Sequence, residues 1–299
     1  MKILHVIYIP FRDVGINDSF KDAEWLCDRI EIFKDFTLKS LLNQSDRDFI
    51  LWMSFRPEDY GDIQVELLDR YLTKCGMKHV FTYHGLMYWD DKFGGNLFET
   101  AKNFARIFRR CYRNHTWGRL FPLIREWRKN ESKNTTLPDR LTRALWSFKH
   151  EFPVMNYDFV YLTRLDSDDM LNTGAIERIK WYMSTGLYNA VTMGNGYIFN
   201  KNTGQLAYWH PLTNPPFHTI LFLGDQFFDS VKHLAVYGKF KSHEDIPKLF
   251  NCAKLLSGEY CVLIHSKQNQ ISTIWDHHFR GEEIELGKED ILRQFGIAK

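Results

Sequence analysis

The chain has 299 residues, 44% hydrophobic and 16% aromatic, enough for one large α/β domain or two small ones. A formal net charge of +2 gives no chain-wide polyelectrolyte character, and five cysteines with no Cys-x-x-Cys argue against a zinc ribbon or disulfide scaffold and fit a reducing compartment. Met1–Pro10 is apolar but short and is followed directly by Arg12 and Asp13, and no window reaches the roughly 20 apolar residues that span a bilayer, so a cytoplasmic protein is expected, at most peripheral to the inner face of a membrane.

The first apolar run, Lys2–Ile9, ends at Pro10 and reads as a buried strand. Over Asp22–Asn43, Leu26, Ile30, Phe33 and Leu41 recur at helical spacing, so a helix is expected there, broken near Asp35. Phe49–Phe55 is a second buried strand, Ile63–Cys75 a helix stopped by Gly76, and Lys78–Tyr83 a third strand. This βαβαβ opening predicts a parallel sheet with helices on its faces.

Regularity then fails. Residues 88–137 are rich in Arg, Lys and aromatics and read as a helical insertion. Within it, Arg106–Lys133 holds nine Arg or Lys against Glu126 and Glu131, interleaved with Phe108, Tyr112, Trp117, Phe121 and Trp127. Such a stretch suits an anionic membrane surface or is a solvated insertion; nucleic acid is the weaker anionic partner. Arg140–His150 resumes as a helix, Asp158–Arg164 as a strand, and Ala175–Thr185 as a helix ended by Gly186. Ala190–Asn200 and Gln205–Trp209 are expected to pair antiparallel around Asn202-Thr203-Gly204. Ile220–Leu223 and Glu259–Ile264 are further strands. Residues 1–275 are read as one domain and 276–299 as a polar tail.

The chemistry concentrates in Phe159-Val-Tyr-Leu-Thr-Arg164-Leu-Asp166-Ser-Asp168-Asp169. An apolar strand runs straight into three carboxylates within four residues. Like charges so crowded need a cation or hydrogen-bond donors to offset them, and Mg²⁺ or Mn²⁺ prefers oxygen ligands. Open α/β sheets bind ligands at such strand ends. The alternative is that the acids cap the helix starting near Thr173 or are solvated. An EF-hand is disfavoured because its sixth position, which needs Gly, is Leu171.

This strand with its Asp-Ser-Asp-Asp resembles the DxD motif of GT-A glycosyltransferases. More narrowly, Thr37-Leu-Lys-Ser-Leu-Leu-Asn-Gln44-Ser-Asp-Arg-Asp-Phe-Ile-Leu-Trp resembles the helix–strand segment of the rhamnosyltransferase group and its family-2-like relatives. The resemblance covers residues 2–85 and 138–275. It implies a Rossmann-like α/β fold with a mixed, mainly parallel sheet and helices on both faces. It implies a hexosyltransferase-type enzyme, with a nucleotide-sugar donor and a glycan or lipid-linked acceptor. Asp168, with Asp166 or Asp169, would hold Mn²⁺ or Mg²⁺ against the donor diphosphate. Pro10, Arg12 and Ser54 would touch the nucleoside or its phosphates, and Arg164 would pair with the donor or with an acid.

An inverting transferase needs a general base. The resemblance places it in Ser242-His243-Glu244-Asp245, with Asp245 the first choice and Glu244 the second; both also suit a helix N-terminus. Asp225 is a third candidate. His265, after the run Tyr260–Ile264, is an expected further metal ligand or a strand-end histidine bonded to backbone, and Lys267 a phosphate contact. His277 and His278 are weaker versions of His265. Trp209 is either a sugar-stacking platform or core. Two rival functions stand beside the transferase: a carbohydrate-binding module with a structural metal, and a metal-dependent nucleotidyltransferase. Walker A and dinucleotide glycine fingerprints are absent.

Overall fold

The computed structural model describes residues 2–12, 23–85, 108, 137–152, 157–211, 214–238, 243–255, 258–265 and 283–297. The expected insertion at 88–137, with its basic stretch, lies outside the described residues apart from Phe108 and the first residue of a helix.

Strand β1 (Ile3–Pro10) alternates its side chains between two faces, as the period of two demands. Ile7 and Ile9 enter one apolar cluster, Val6 and Tyr8 another. A strand buried on both faces must be apolar throughout, which is why it reads as a continuous run. Helix α1 (Ala23–Ile32) follows. The expected break near Asp35 is a turn of π-helix, Phe33–Thr37, after which α2 (Leu38–Leu42) continues. Then come β2 (Ile50–Ser54), α3 (Ile63–Lys74) and β3 (His79–Thr82). Gly76 has φ +68°, the left-handed conformation that closes α3 at little steric cost. Helix α4 (Leu137–Glu151) precedes β4 (Phe159–Arg164), the short β5 (Met170–Leu171) and α5 (Ala175–Ser184).

Residues 190–200 depart from expectation. The stretch is two strands, β6 (Ala190–Met193) and β7 (Gly196–Asn200), broken at Gly194–Asn195 and assigned to different sheets. Only β7 pairs antiparallel with β8 (Leu206–Trp209). The physical reason lies at Gly196, where a Cβ would fall 2.6 Å from the Tyr260 ring. The chain can pass beneath that ring only without a side chain. After β9 (His218–Leu223) come α6 (Gly224–Phe227), α7 (Ser230–Tyr237), α8 (Ile246–Leu249), β10 (Cys252–Leu255), β11 (Tyr260–Ile264) and α9 (Lys288–Gln294).

Among the described residues the strands form two sheets. The larger has seven strands in the order β10-β6-β9-β4-β1-β2-β3, parallel except where β9 runs against β4 and β6. Helices α1, α3 and α5 cover one face and α4, α6, α7 and α8 the other. This is the mixed, mainly parallel Rossmann-like architecture expected. The smaller sheet, β5-β11-β7-β8, was not anticipated as a unit.

The polar tail is also corrected. Ile284, Leu292 and Phe295 pack on Met170, Leu206, Cys261 and Leu263 of the smaller sheet. The Ile284 amide donates to Leu206 O at 2.8 Å. A few well-spaced apolar residues suffice to dock a short helix even when its average is polar. Among the described residues no helix is long and apolar enough to cross a membrane.

Candidate functional site

Strand order reverses between β1 and β4: β2 lies on one side of β1 and β4 on the other, so the crevice outside their carboxyl ends is a topological switch point. Three loops converge there. The Phe11 and Arg12 amides both donate to Ser54 O, at 3.1 and 3.0 Å, joining the ends of β1 and β2. The Leu165 amide donates to Tyr8 O at 3.0 Å, bringing in the end of β4. Pro10, Arg12, Ser54, Arg164 and the acidic loop therefore share one sheet edge. Asp225 does not. It follows β9, whose Leu223 pairs with Phe159 at the start of β4, so it lies at the opposite edge, bonded to Lys232 at 2.6 Å. The third candidate base is thereby removed.

The acidic loop is clamped from outside. Gln44 is buried; its Nε2 donates to Leu171 O at 3.3 Å and Asn172 O at 2.8 Å, and its Oε1 accepts from the Ile176 amide at 3.2 Å. Ser40 Oγ accepts from the Leu171 amide at 3.2 Å. Thus the Thr37–Gln44 phrase read in the sequence holds the exit of the loop. Thr173 adds bonds to Gln294 O from its amide and hydroxyl, tying the same exit to α9.

Each carboxylate has a different partner. Asp166 Oδ1 accepts from Arg164 Nη2 at 3.0 Å, one of the two pairings expected of Arg164. Asp168 Oδ2 lies 2.5 Å from Arg29 Nη1 and 3.1 Å from His265 Nε2. A carboxylate only accepts, so His265 Nε2 carries a proton and donates. Asp169 Oδ1 accepts from the Leu263 amide at 3.2 Å. Burial drives the two inner acids upward. In Asp168 the Arg29 guanidinium and the His265 contact outweigh it, holding that carboxyl well below the usual range. In Asp169 burial, Asp168 and Asp166 act together and push it well above.

Sequence reading found Asp168 and His265, which the fold brings together. It missed Arg29. That side chain comes from α1, lies under the Trp25 ring at 4.8 Å and is 9% exposed. Its only signal in the sequence is a basic residue on the apolar side of an amphipathic helix, flanked by Leu26 and Ile30.

The geometry bears on a metal. A hard divalent ion needs converging, uncommitted oxygen or imine donors. Here Asp168 Oδ2 is shared by Arg29 and His265, the His265 nitrogen facing it bears a proton, and one Asp169 oxygen is spent on a backbone amide. Among the described residues no three His, Cys, Asp or Glu side chains form a group suited to an ion. Asp166, Asp168, Asp169 and His265 do not fit a preformed Mn²⁺ or Mg²⁺ centre.

Arg12 is also engaged, with Nη1 2.6 Å from Asp59 Oδ1. Asp59 is 2% exposed and accepts from the Arg56 amide, so it fixes Arg12 rather than leaving it extended. Burial raises the Asp59 carboxyl, and its partners only partly offset this. The expected base segment borders the same edge. His243, just before Glu244 and Asp245, is depressed by burial and then by the charge of Arg164, with Asp166 opposing. Asn214 Nδ2 donates to His243 O at 3.2 Å. Asp245 is 32% exposed and lies 3.5 Å from Lys248. Behind Arg164, His218 Nδ1 donates to Pro216 O at 2.9 Å and Nε2 accepts from Tyr237 at 3.0 Å; burial depresses this histidine to about 3. His218 is therefore a neutral support. Trp209 is half-buried against Tyr260, ring centroids 5.8 Å apart. Lys267, His277 and His278 lie outside the described residues.

No family model matches the sequence, and no curated protein matches it. Among solved structures the chain is similar to S. aureus TarS 1–349 in complex with UDP-GlcNAc, at 13% identity and TM-score 0.43, over 99% of this chain and 71% of that one. The same protein in complex with UDP gives 13% identity and TM-score 0.38, over 99% and 70%. A candidate nucleotide-diphospho-sugar transferase from Desulfovibrio desulfuricans G20 gives 11% identity and TM-score 0.37, over 98% and 95%. Likeness at this level does not extend to the arrangement of side chains.

Proposed function

We propose that the chain is a glycosyltransferase that seats a nucleotide-sugar donor in the crevice where β1, β2 and β4 end, and passes its sugar to a glycan or lipid-linked acceptor. One observation carries this reading. The loop Leu165–Asp169 opens at the strand-order reversal, beside the ends of β1 and β2, where α/β sheets take nucleotides.

In this reading Pro10, Arg12 and Ser54 line the nucleoside side, with Arg12 held in place by Asp59. Arg164 and Arg29 lie beside the diphosphate, where arginine forks suit phosphate oxygens. Asp245 is the general base, taking the proton from the acceptor hydroxyl as that oxygen attacks the anomeric carbon and the nucleoside diphosphate leaves. Its partial exposure keeps it reachable by an acceptor, whereas Asp168 and Asp169 are enclosed. Glu244 is the second choice. The half-buried Trp209 offers a ring edge for a sugar.

The test is release of nucleoside diphosphate from UDP-, GDP- and dTDP-sugars, run with Mn²⁺ and with EDTA. Slow release, abolished by Asp245→Asn once acceptor is added, is expected. Pyrophosphate from a nucleoside triphosphate would instead favour a nucleotidyltransferase, and glycan binding without any release a carbohydrate-binding module.

A further inference from the structure

We propose that Arg29 is the built-in cation of the acidic loop, and that this chain binds its donor's diphosphate without a divalent metal ion. The inference rests on reading the crevice as the donor site.

Each acid of the loop already has a partner within the fold. Asp166 has Arg164 at 3.0 Å; Asp168 has Arg29 at 2.5 Å and His265 Nε2 at 3.1 Å; Asp169 has the Leu263 amide nitrogen at 3.2 Å. Two of the three acids therefore have a guanidinium as counter-charge, and the third has a hydrogen-bond donor. The Arg29–Asp168 pair is also hard to open. Both side chains are nearly enclosed, at 9% and 12% exposure, and the guanidinium is held against the Trp25 ring. Swinging Arg29 away would strand two charges in a poorly solvated site, which is strongly unfavourable. A divalent ion placed on Asp168 with Arg29 still present would sit close to a fixed positive charge in a low dielectric. Arginine is the residue suited to this duty, because it stays charged, is weakly hydrated and presents its donors in a rigid plane to carboxylate and phosphate alike.

The test uses the full chain with two readouts besides turnover. Electron paramagnetic resonance follows uptake of free Mn²⁺, and calorimetry measures UDP, GDP and dTDP binding in EDTA and in Mn²⁺. Wild type should take up no Mn²⁺, and its affinity for the preferred nucleotide should differ by less than about twofold between the two conditions. Arg29→Met should free Asp168, take up Mn²⁺, and bind at least about tenfold more weakly in EDTA than wild type, with recovery in Mn²⁺. Arg29→Lys, which keeps the charge, should remain metal-independent. Wild type binding one Mn²⁺, or binding nucleotide about tenfold tighter with Mn²⁺ than without, overturns the proposal and leaves the donor site standing. No nucleotide bound in either condition overturns the donor site and this proposal with it. The wild-type arms decide the matter even if a variant fails to fold.

Discussion

The loop Asp166–Asp169 and the helix start at Glu244–Asp245 border the same crevice, yet the fold treats their carboxylates in opposite ways. Asp168 and Asp169 are buried and each is tied to a long-range partner. Asp245 is about a third exposed, and its pairing with Lys248 is local. Enclosed acids fix where strands and helices stop; a partly exposed acid at the rim is within reach of a substrate. Substitutions in the first region should therefore register as changed stability, and in the second as lost rate.

The largest expected effect belongs to the first region. Asp168→Ala leaves Arg29 buried without its counter-charge and His265 without its acceptor. A cost of about 3–5 kcal/mol is expected, read by urea unfolding. A change under about 1 kcal/mol would mean that Arg29 reaches solvent and the pair does not hold the loop.

Next comes the rim. Asp245→Asn should leave the unfolding midpoint unchanged while slowing sugar transfer by about 10²-fold or more, the usual range for a general base. Nucleotide affinity should not move. A fall in stability with no separate loss of rate would return Asp245 to the role of a helix-start acid and break the contrast.

How far the sequence revealed these regions follows from the range of the forces involved. β1 to β3, with α1 and α3 between them, were legible because a strand buried on both faces and an amphipathic helix are local patterns. The Gln44 phrase was legible as a resemblance, and the structure adds its mechanism: Gln44 clamps Leu171, Asn172 and Ile176. Of the smaller sheet, the antiparallel pair β7–β8 and the strand β11 were legible, but not their assembly into one unit. β5 is two residues long, and β7 ends up under Tyr260, which is distant in sequence. Arg29 was missed for the same reason, since nothing near it in the chain announces Asp168.

Gly196 tests that reading of the smaller sheet. Gly196→Ala puts a methyl group against the Tyr260 ring and Tyr260 O, at 2.6 and 2.7 Å. Tyr260 is itself fixed by donation to Gly194 O at 2.9 Å and by Phe217 at 4.2 Å between centroids. An overpacking cost of about 1–3 kcal/mol is expected in thermal or urea unfolding, below that of Asp168→Ala. A neutral outcome would show that β7 does not pass close under the ring.

The smallest effect separates two neighbours within the acidic loop. Asp169 has its carboxyl raised by burial and by Asp168 and Asp166, so its folded value lies above the unfolded value of about 3.9. Its contribution is fully present below that unfolded value and is lost as pH rises through the raised folded one. Asp169→Asn keeps an oxygen for the Leu263 amide and has no proton to lose. It should stay within about 1 kcal/mol of wild type in acid and gain on it as pH rises. Asp168 has the opposite sign. Its carboxyl is depressed, so its contribution is present above about 3.9 and is lost as pH falls. The deficit of Asp168→Asn should therefore shrink on acidification. Urea unfolding of both variants across the acid-to-neutral range reads the two slopes directly. Slopes of the same sign would mean that Arg29 compensates both acids alike and that the loop holds no division between a depressed carboxyl and a raised one.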